Sequence, residues 1–221
     1  MCGRFTLTAP KEDILRYFNI DDLPVDFVPR FNIAPGQKIW AIIHDGENKR
    51  AGQLDWGLIP PWAKDPKIGY KMINARSETA HEKPSFKGSM SKKRCLIIAD
   101  SFYEWKKEEG KKQPVRILPQ KRKLFAFAGL WEKWKSGEEE RFTCTILTKE
   151  ADEFMSSIHD RMPVILPKSL EDEWIKPVKW AAGEAHQFIE QLSIDDLEAY
   201  PVSTVVNSAK NETEECIKRL A

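Results

Sequence analysis

The 221-residue chain is 41% hydrophobic and 31% charged, which allows a sizeable core and excludes a disordered chain. Its 35 basic and 34 acidic residues leave a net charge of +1, so any nucleic-acid contact must rest on local clustering. The opening MCGRFTLT has no apolar run after a basic head, and nothing approaches the roughly 18 apolar residues of a membrane span; neither a signal peptide nor a membrane partner is expected. Cys2, Cys95, Cys144 and Cys216 form no CxxC pair and no Cys/His cluster with zinc spacing. The expectation is a reduced, cytoplasmic protein with no structural disulfide, no metal and no cofactor.

Taken in chain order, residues 10–19 open with Pro and acids and place Ile14, Leu15 and Phe18 at helical spacing, which predicts a short helix. Residues 28–36 read as an ordered loop, and Lys38–His44 as a strand. Asp45-Gly46 is a turn and Arg50–Trp56 the returning strand of a hairpin. Residues 57–72, rich in Pro, Gly and Lys, read as an irregular loop, and a short helix is expected within Glu78–Met90. Arg94–Ala99, Ser101–Lys106, Pro114–Leu118, Phe125–Trp131 and Phe142–Leu147 are β-like runs between charged turns. Lys149–Ser157 reads as helix, Met162–Leu166 as strand, Ser169–Lys176 as a helix with a capping box, Ala185–Leu192 as helix and Val202–Val206 as the last strand. Strands dominate without a βαβ rhythm, which predicts an α+β fold: one domain over residues 1–221, with a curved mixed or antiparallel, barrel-like sheet and peripheral helices. No dimerisation heptad is present, and a monomer is expected.

Of the eight tryptophans, Trp131, Trp134, Trp174 and Trp180 sit among periodic apolar residues and read as structural. Trp56, Trp62 and Trp105 lie beside Gly, Pro or charged residues and read as loop or strand-end positions.

Position 2 carries the most chemical information. Aminopeptidases generally remove an initiator Met that precedes a small residue, which would leave Cys2 as the N-terminus. Its α-amine would titrate near ~7.7–8 and its thiol near ~8.5, so both are partly nucleophilic at neutral pH. Such a 1,2-aminothiol condenses with an aldehyde, the amine forming a Schiff base and the thiol closing a thiazolidine ring. In Ser101–Lys106, Glu104 lies between aromatics, where desolvation raises a carboxyl pKa toward proton-transfer work.

The tripeptide alone also fits an N-terminal-nucleophile amidotransferase, in which Cys2 attacks a glutamine amide. The Arg and Trp residues alone also fit a non-catalytic single-stranded nucleic-acid binder.

Six motifs in order resemble the SRAP (SOS-response-associated peptidase) family: MCGRF, the N-x-AP-G loop, WG-L-I-P-W, I-NAR-E, F-Y-EW and HDRMP. The likeness runs from Met1 to VSTVVN near residue 207. The resemblance implies a β-rich fold with a positively charged groove that crosslinks to abasic sites in single-stranded DNA, with lyase-type Schiff-base chemistry and an associated autopeptidase activity. On it, Cys2 is the nucleophile, Asn74 holds the opened sugar, Glu104 moves protons during Schiff-base formation and His159 does acid/base work at the sugar hydroxyl. Arg4, Arg76 and Arg161 hold flanking phosphates, Trp62 and Trp105 stack on neighbouring bases, and Pro35 and Gly36 let the backbone approach the strand.

Overall fold

The computed structural model describes residues 2–23, 26–108 and 110–220. In chain order the elements begin with β1 (Phe5–Leu7), α1 (Lys11–Phe18), β2 (Arg30–Ile33), β3 (Lys38–His44), β4 (Lys49–Trp56) and β5 (Asn74–Arg76). There follow α2 (Ser77–Ala80), α3 (Lys87–Lys92), β6 (Arg94–Ala99), β7 (Ser101–Glu108), β8 (Lys111–Pro119), β9 (Phe125–Ser136) and β10 (Glu139–Glu150). The last are α4 (Glu153–Ser156), β11 (Arg161–Pro163), β12 (Ile165–Leu166), α5 (Glu171–Ile175), α6 (Glu184–Glu190) and β13 (Leu197–Pro201).

Strands β10, β4, β3, β6 and β9 pair in that order, and β9 pairs back onto β10 to close a barrel. Within the ring β4–β10 is parallel and the other pairings are antiparallel. Closure removes the exposed sheet edges that invite aggregation. It also explains why β6 and the first half of β9 are apolar without alternation: both faces of these strands are buried. Gly129 on β9 has a packing reason, since a Cβ there would lie 2.7 Å from Ile97 Cδ1 and 2.8 Å from Cys95 Sγ.

A second, antiparallel sheet has the order β13-β8-β7-β1-β2. It packs on the barrel through aromatic edges. The Phe5 ring meets Trp56 at 5.2 Å and Phe127 at 5.7 Å, and Phe102 meets Phe127 at 5.9 Å. Each such pair is worth about 0.5–1.5 kcal/mol beyond the area it buries.

The β-rich α+β architecture and barrel-like sheet are those expected, and α1 and the β3–β4 hairpin fall where the periodicity places them. Several local readings differ. Residues 30–33 are a strand rather than loop, because Leu7 and Phe5 of β1 supply partners 23 and 28 residues away in sequence (Leu7↔Arg30 and Phe5↔Ile33). Lys149 and Glu150 extend β10 against Met162 and Arg161, so the helix there shrinks to α4, capped by Asp152 accepting from the Met155 N–H. The helix within Glu78–Met90 is two, α2 and α3, with Pro84 in the break between them. Ser169 lies inside a 3₁₀ turn, and α5 starts after Leu170 with no side-chain cap. The last strand is β13; Val202 makes one bridge to Arg219, and Thr204–Asn207 is a 3₁₀ turn. Trp56 holds the strand-end position expected for it, as the last residue of β4, but its side chain is buried in the core. No helix among the described residues is long and apolar enough to cross a membrane.

Glu171 supplies a test of the core. Its side chain is buried, Oε2 accepts from Lys168 Nζ at 2.7 Å, and burial pushes its pKa from 4.5 up to about 7. Between those two values the unfolded carboxyl has lost its proton while the folded one keeps it. Stability therefore falls as pH rises through that window, by up to about 1.4 kcal/mol per pH unit, and levels off above it. Glu171→Gln is expected to flatten this slope in chemical-denaturation curves taken from pH 4.5 to 7.5. Parallel wild-type and variant curves would contradict the shift.

Candidate active site

The site forms where the N-terminal end of β1 meets the barrel. Register on β7 (Phe5↔Phe102, Thr6↔Ser101) and the Tyr103 N–H to Arg4 carbonyl bond of 2.9 Å bring Cys2 alongside the part of β7 that carries Glu104. Both side chains are buried. From the barrel, β5 runs parallel to β10 (Ile146↔Asn74, Thr148↔Arg76), and the Asn74 amide donates to the Cys2 carbonyl at 2.8 Å. Trp56 explains why β5 is fixed: its buried indole N–H donates to the Ile73 carbonyl at 2.9 Å, one residue before Asn74. The Asn74 Oδ1 is buried and has no hydrogen-bond partner among the described residues.

On its other edge β10 carries β11 (Glu150↔Arg161), which places His159 next to the site. The His159 backbone N–H continues the turn of α4 onto the Met155 carbonyl at 2.9 Å. Its Nδ1 lies 3.0 Å from the Arg161 backbone N–H and 2.7 Å from Asp160 Oδ1. Nδ1 thus faces both a donor and an acceptor: unprotonated it accepts from the Arg161 N–H, and protonated, in the neutral or the cationic ring, it donates to Asp160.

Electrostatics couple these groups. Burial raises the Glu104 carboxyl above the usual carboxylate range, while the positive charge of His159 acts in the opposite direction. The Cys2 thiol is pushed up by burial and then by the charge of Glu104, with a backbone hydrogen bond from Arg4 opposing the rise. The structure thus assembles Cys2, Asn74, Glu104 and His159, residues drawn from four separate stretches of chain.

The basic candidates differ in what they already hold. Arg76 at the end of β5 is exposed and in no ion pair among the described residues. Arg161 grips Glu78 with two bonds of 2.7 and 2.9 Å and also reaches the Thr148 carbonyl and hydroxyl. Burial pushes Glu78 upward, but the bond from Arg161 and its charge win and hold that carboxyl low. Arg4 donates to Asn32 Oδ1 and the Val206 carbonyl, both at 2.7 Å, and lies 5.8 Å from the centre of the Trp105 ring. Trp105 is anchored in turn, its indole donating to Asn207 Oδ1 at 2.7 Å.

Trp62 and the Pro35-Gly36 turn stand on loops apart from β5 and β7, which carry Asn74 and Glu104. Trp62 is 55% exposed on a turn held by the Trp134 indole, which donates to the Ala63 carbonyl at 2.7 Å. Gly36 is exposed at φ +83°, and its N–H donates to the Trp56 carbonyl at 2.8 Å. The segment 57–72 is ordered by the barrel: Gly57 N–H bonds the Cys144 carbonyl at 2.9 Å, Leu58 N–H the Met72 carbonyl at 3.1 Å and Ile59 N–H the Thr143 hydroxyl at 2.9 Å.

Sequence reasoning missed Asn32, Glu78, Thr148 and Asn207 as supports. Glu78 follows directly after the NARS stretch, but nothing local signals a partner 83 residues away. Among the described residues no three His, Cys, Asp or Glu side chains converge as metal ligands do, and the four cysteines are buried and unbridged.

Comparison with known proteins agrees with the geometry. The sequence profile of the family described as SOS response associated peptidase (SRAP) matches residues 1–209. The chain is 53% identical over 222 residues to the abasic site processing protein YoqW of Bacillus subtilis (strain 168), covering 99% of each chain. To the abasic site processing protein YoaM of the same organism it is 52% identical over 221 residues, covering 98% and 97%. A crystal structure of a protein from Bacteroides thetaiotaomicron superposes over 100% of both chains with a TM-score of 0.86 at 23% identity, a likeness of fold.

Asn32 is the buried hub of the supporting network. It accepts from Arg4 and donates to the carbonyls of Val206, Ser208 and Asn211 at 3.2, 2.9 and 2.8 Å. Asn32→Ala strands several buried polar groups, each costing about 1–3 kcal/mol. A destabilisation of about 2–4 kcal/mol is expected in urea unfolding, with faster proteolysis within residues 203–212. Unchanged unfolding and proteolysis would remove Asn32 from that role.

Proposed function

The chain belongs to the SOS response associated peptidase (SRAP) family, and from that premise we propose that it captures abasic sites in single-stranded DNA as a covalent adduct of Cys2. The observation that carries this reading is the buried Cys2 held by Asn74 beside a carboxyl whose pKa burial has raised. The names of the relatives, abasic site processing proteins, point to the same lesion.

Hydrolysis of the Met1–Cys2 bond frees the Cys2 amine. An abasic sugar is mostly a closed hemiacetal, and His159, with Nδ1 held between the Arg161 N–H and Asp160, is suited to protonating the ring oxygen through Nε2 as the ring opens. The amine then adds to the aldehyde carbon. Glu104 donates the proton with which the carbinolamine oxygen leaves as water, and a C=N bond remains. The Cys2 thiol adds to that carbon, its proton passing to the nitrogen, and closes the thiazolidine; aldehyde plus aminothiol gives ring plus one water. Burial keeps the thiol protonated, so the amine is the first nucleophile and the thiol the second. Asn74 has a spare buried acceptor for the opened sugar's hydroxyl groups.

Arg76 and Arg161 flank the site on two edges of β10, and with Arg4 they are assigned to the phosphates. Arg76 is available directly; Arg161 exchanges Glu78 for a phosphate, and Arg4 contributes the charge it holds beside Trp105. Trp62 and Trp105 offer aromatic faces, and the Pro35-Gly36 turn offers backbone to the strand.

Intact-mass spectrometry tests the chemistry. Incubation with a single-stranded oligonucleotide carrying one abasic site is expected to give a heat-stable species that lacks Met1 and has gained the oligonucleotide's mass less one water. Cys2→Ala gives no such species. Glu104→Gln and His159→Ala are each expected to slow its appearance by about 10²-fold or more, the scale of general acid–base catalysis. A protein that loses Met1 and forms no adduct would sink the proposal.

The phosphate assignment is tested separately. Arg76→Ala and Arg161→Ala are each expected to weaken binding of a non-reactive single strand and to reduce the salt slope by about 0.7. Slopes unchanged from wild type would remove these residues from the DNA contact.

A further inference from the structure

The segment between β4 and β5 folds over a cleft of about 370 Å³ that Cys2, Asn74, Glu104 and His159 do not line. Two glycines build its floor. A Cβ on Gly57 would lie 2.7 Å from the Gly69 carbonyl oxygen, and one on Gly69 would lie 2.7 Å from that of Gly57. The two backbones are therefore in direct contact, and the 3₁₀ turn Pro66–Lys71 is seated on the barrel rim rather than hung from it. That rigid turn presents Tyr70 with 73% of its surface exposed, the most exposed of the large hydrophobic residues described. The ring edge lies 3.5 Å from where a Gly36 Cβ would be, so Tyr70 and the Gly36 turn form the lip. Asp55 and Arg141 line the polar side, each oriented by an ion pair, to Lys38 at 3.2 Å and to Glu139 at 2.5 Å.

A rigidly mounted, exposed aromatic ring offers a face on which another planar ring can stack. The volume lies within the ~300–1,000 Å³ of small-molecule sites, and the lining joins the exposed Tyr70 ring and the buried Trp56 ring with one carboxylate acceptor and one planar donor. Lys67 adds positive charge at the wall. An aromatic platform beside basic residues is how single strands are held, and a base has both a π face and a polar edge. Tyr70 precedes Asn74 by four residues, at most about 14 Å of chain, which is the reach of the nearest nucleotides of a strand seated over Asn74.

We propose that this cleft holds an intact nucleobase of the lesion-bearing strand, stacked on Tyr70 with its polar edge toward Asp55 and Arg141. The proposal rests on the reading of Cys2 as the capture residue for a single strand, and it deepens that reading by naming a second, base-recognising subsite.

The test uses full-length Cys2→Ala protein, which cannot form the adduct, and a fluorescent single strand with a tetrahydrofuran spacer at its centre to set the register. A second spacer is then moved through the neighbouring positions. Tyr70→Ala is expected to weaken binding about tenfold, the scale of one stacked base, while Tyr70→Phe binds as the parent does. Removing the base at one position within two nucleotides of the centre is expected to cost the parent the same factor and the Tyr70→Ala variant nothing more. Parental affinity in Tyr70→Ala, or a loss that is the same whichever base is removed, would overturn the subsite. Crosslinking of a true abasic strand by the protein with Cys2 intact is measured alongside. Adduct without Tyr70–base coupling removes the cleft proposal alone, whereas coupling without adduct removes the capture reading and leaves a base-binding cleft.

Discussion

The 2.8 Å hydrogen bond from the Asn74 amide to the Cys2 carbonyl joins the barrel to the second sheet at the point where the chain begins. Chain ends are ordinarily the least ordered parts of a domain unless something ties them down. Here three things do: the pairing of β1 between β2 and β7, the Phe5 ring wedged against Trp56 and Phe127, and the Asn74 amide. Asn74 is itself placed by the parallel pairing of β5 on β10 and by the Trp56 indole on the Ile73 carbonyl. The position of residue 2 is thus set by barrel closure, not by its own neighbours.

Burial at this junction has the same effect on the two groups it encloses. It raises the Glu104 carboxyl, so that this group holds its proton more tightly than an exposed carboxyl does, and it holds the Cys2 thiol in its protonated form. A thiol nucleophile acting alone would be poorly served by such a place. Under the proposed capture, an aminothiol that leads with its amine would be served well, since the carboxyl would handle the water-loss step and the thiol would close the ring afterwards. His159, its Nδ1 held between the Arg161 N–H and Asp160, adds a second titratable side chain to the site.

Around the junction the arginines are arranged so that the protein is stable without a ligand. Arg161 rests on Glu78 and Thr148, and Arg4 on Asn32 and Val206, while Arg76 remains exposed. A guanidinium already held by a carboxylate binds an anion less tightly than an unpaired one but is kept in place and orientation. The Arg4 contact also draws the segment around Val206 into the support of the site, from the far end of the chain.

The β-rich class, α1, the β3–β4 hairpin and the motifs that hold Cys2, Asn74, Glu104 and His159 are legible in the sequence, because each depends on residues within a few positions of one another. Turn chemistry at Asp45-Gly46 and the helical spacing of Ile14 and Phe18 are examples. The misread elements share a cause. Arg30–Ile33 becomes a strand through β1, Lys149 and Glu150 join β10 through β11, and Trp56 is buried through Phe5 and Ile73. The sequence by itself determined the β-rich class, α1 and the β3–β4 hairpin, and it marked the residues proposed to carry chemistry. Only the tertiary structure decided that β9 and β10 close a barrel, that Glu78 holds Arg161 and that Asn74 reaches Cys2, because such pairings are selected by burial and hydrogen-bond satisfaction across the whole chain, and no local pattern encodes them.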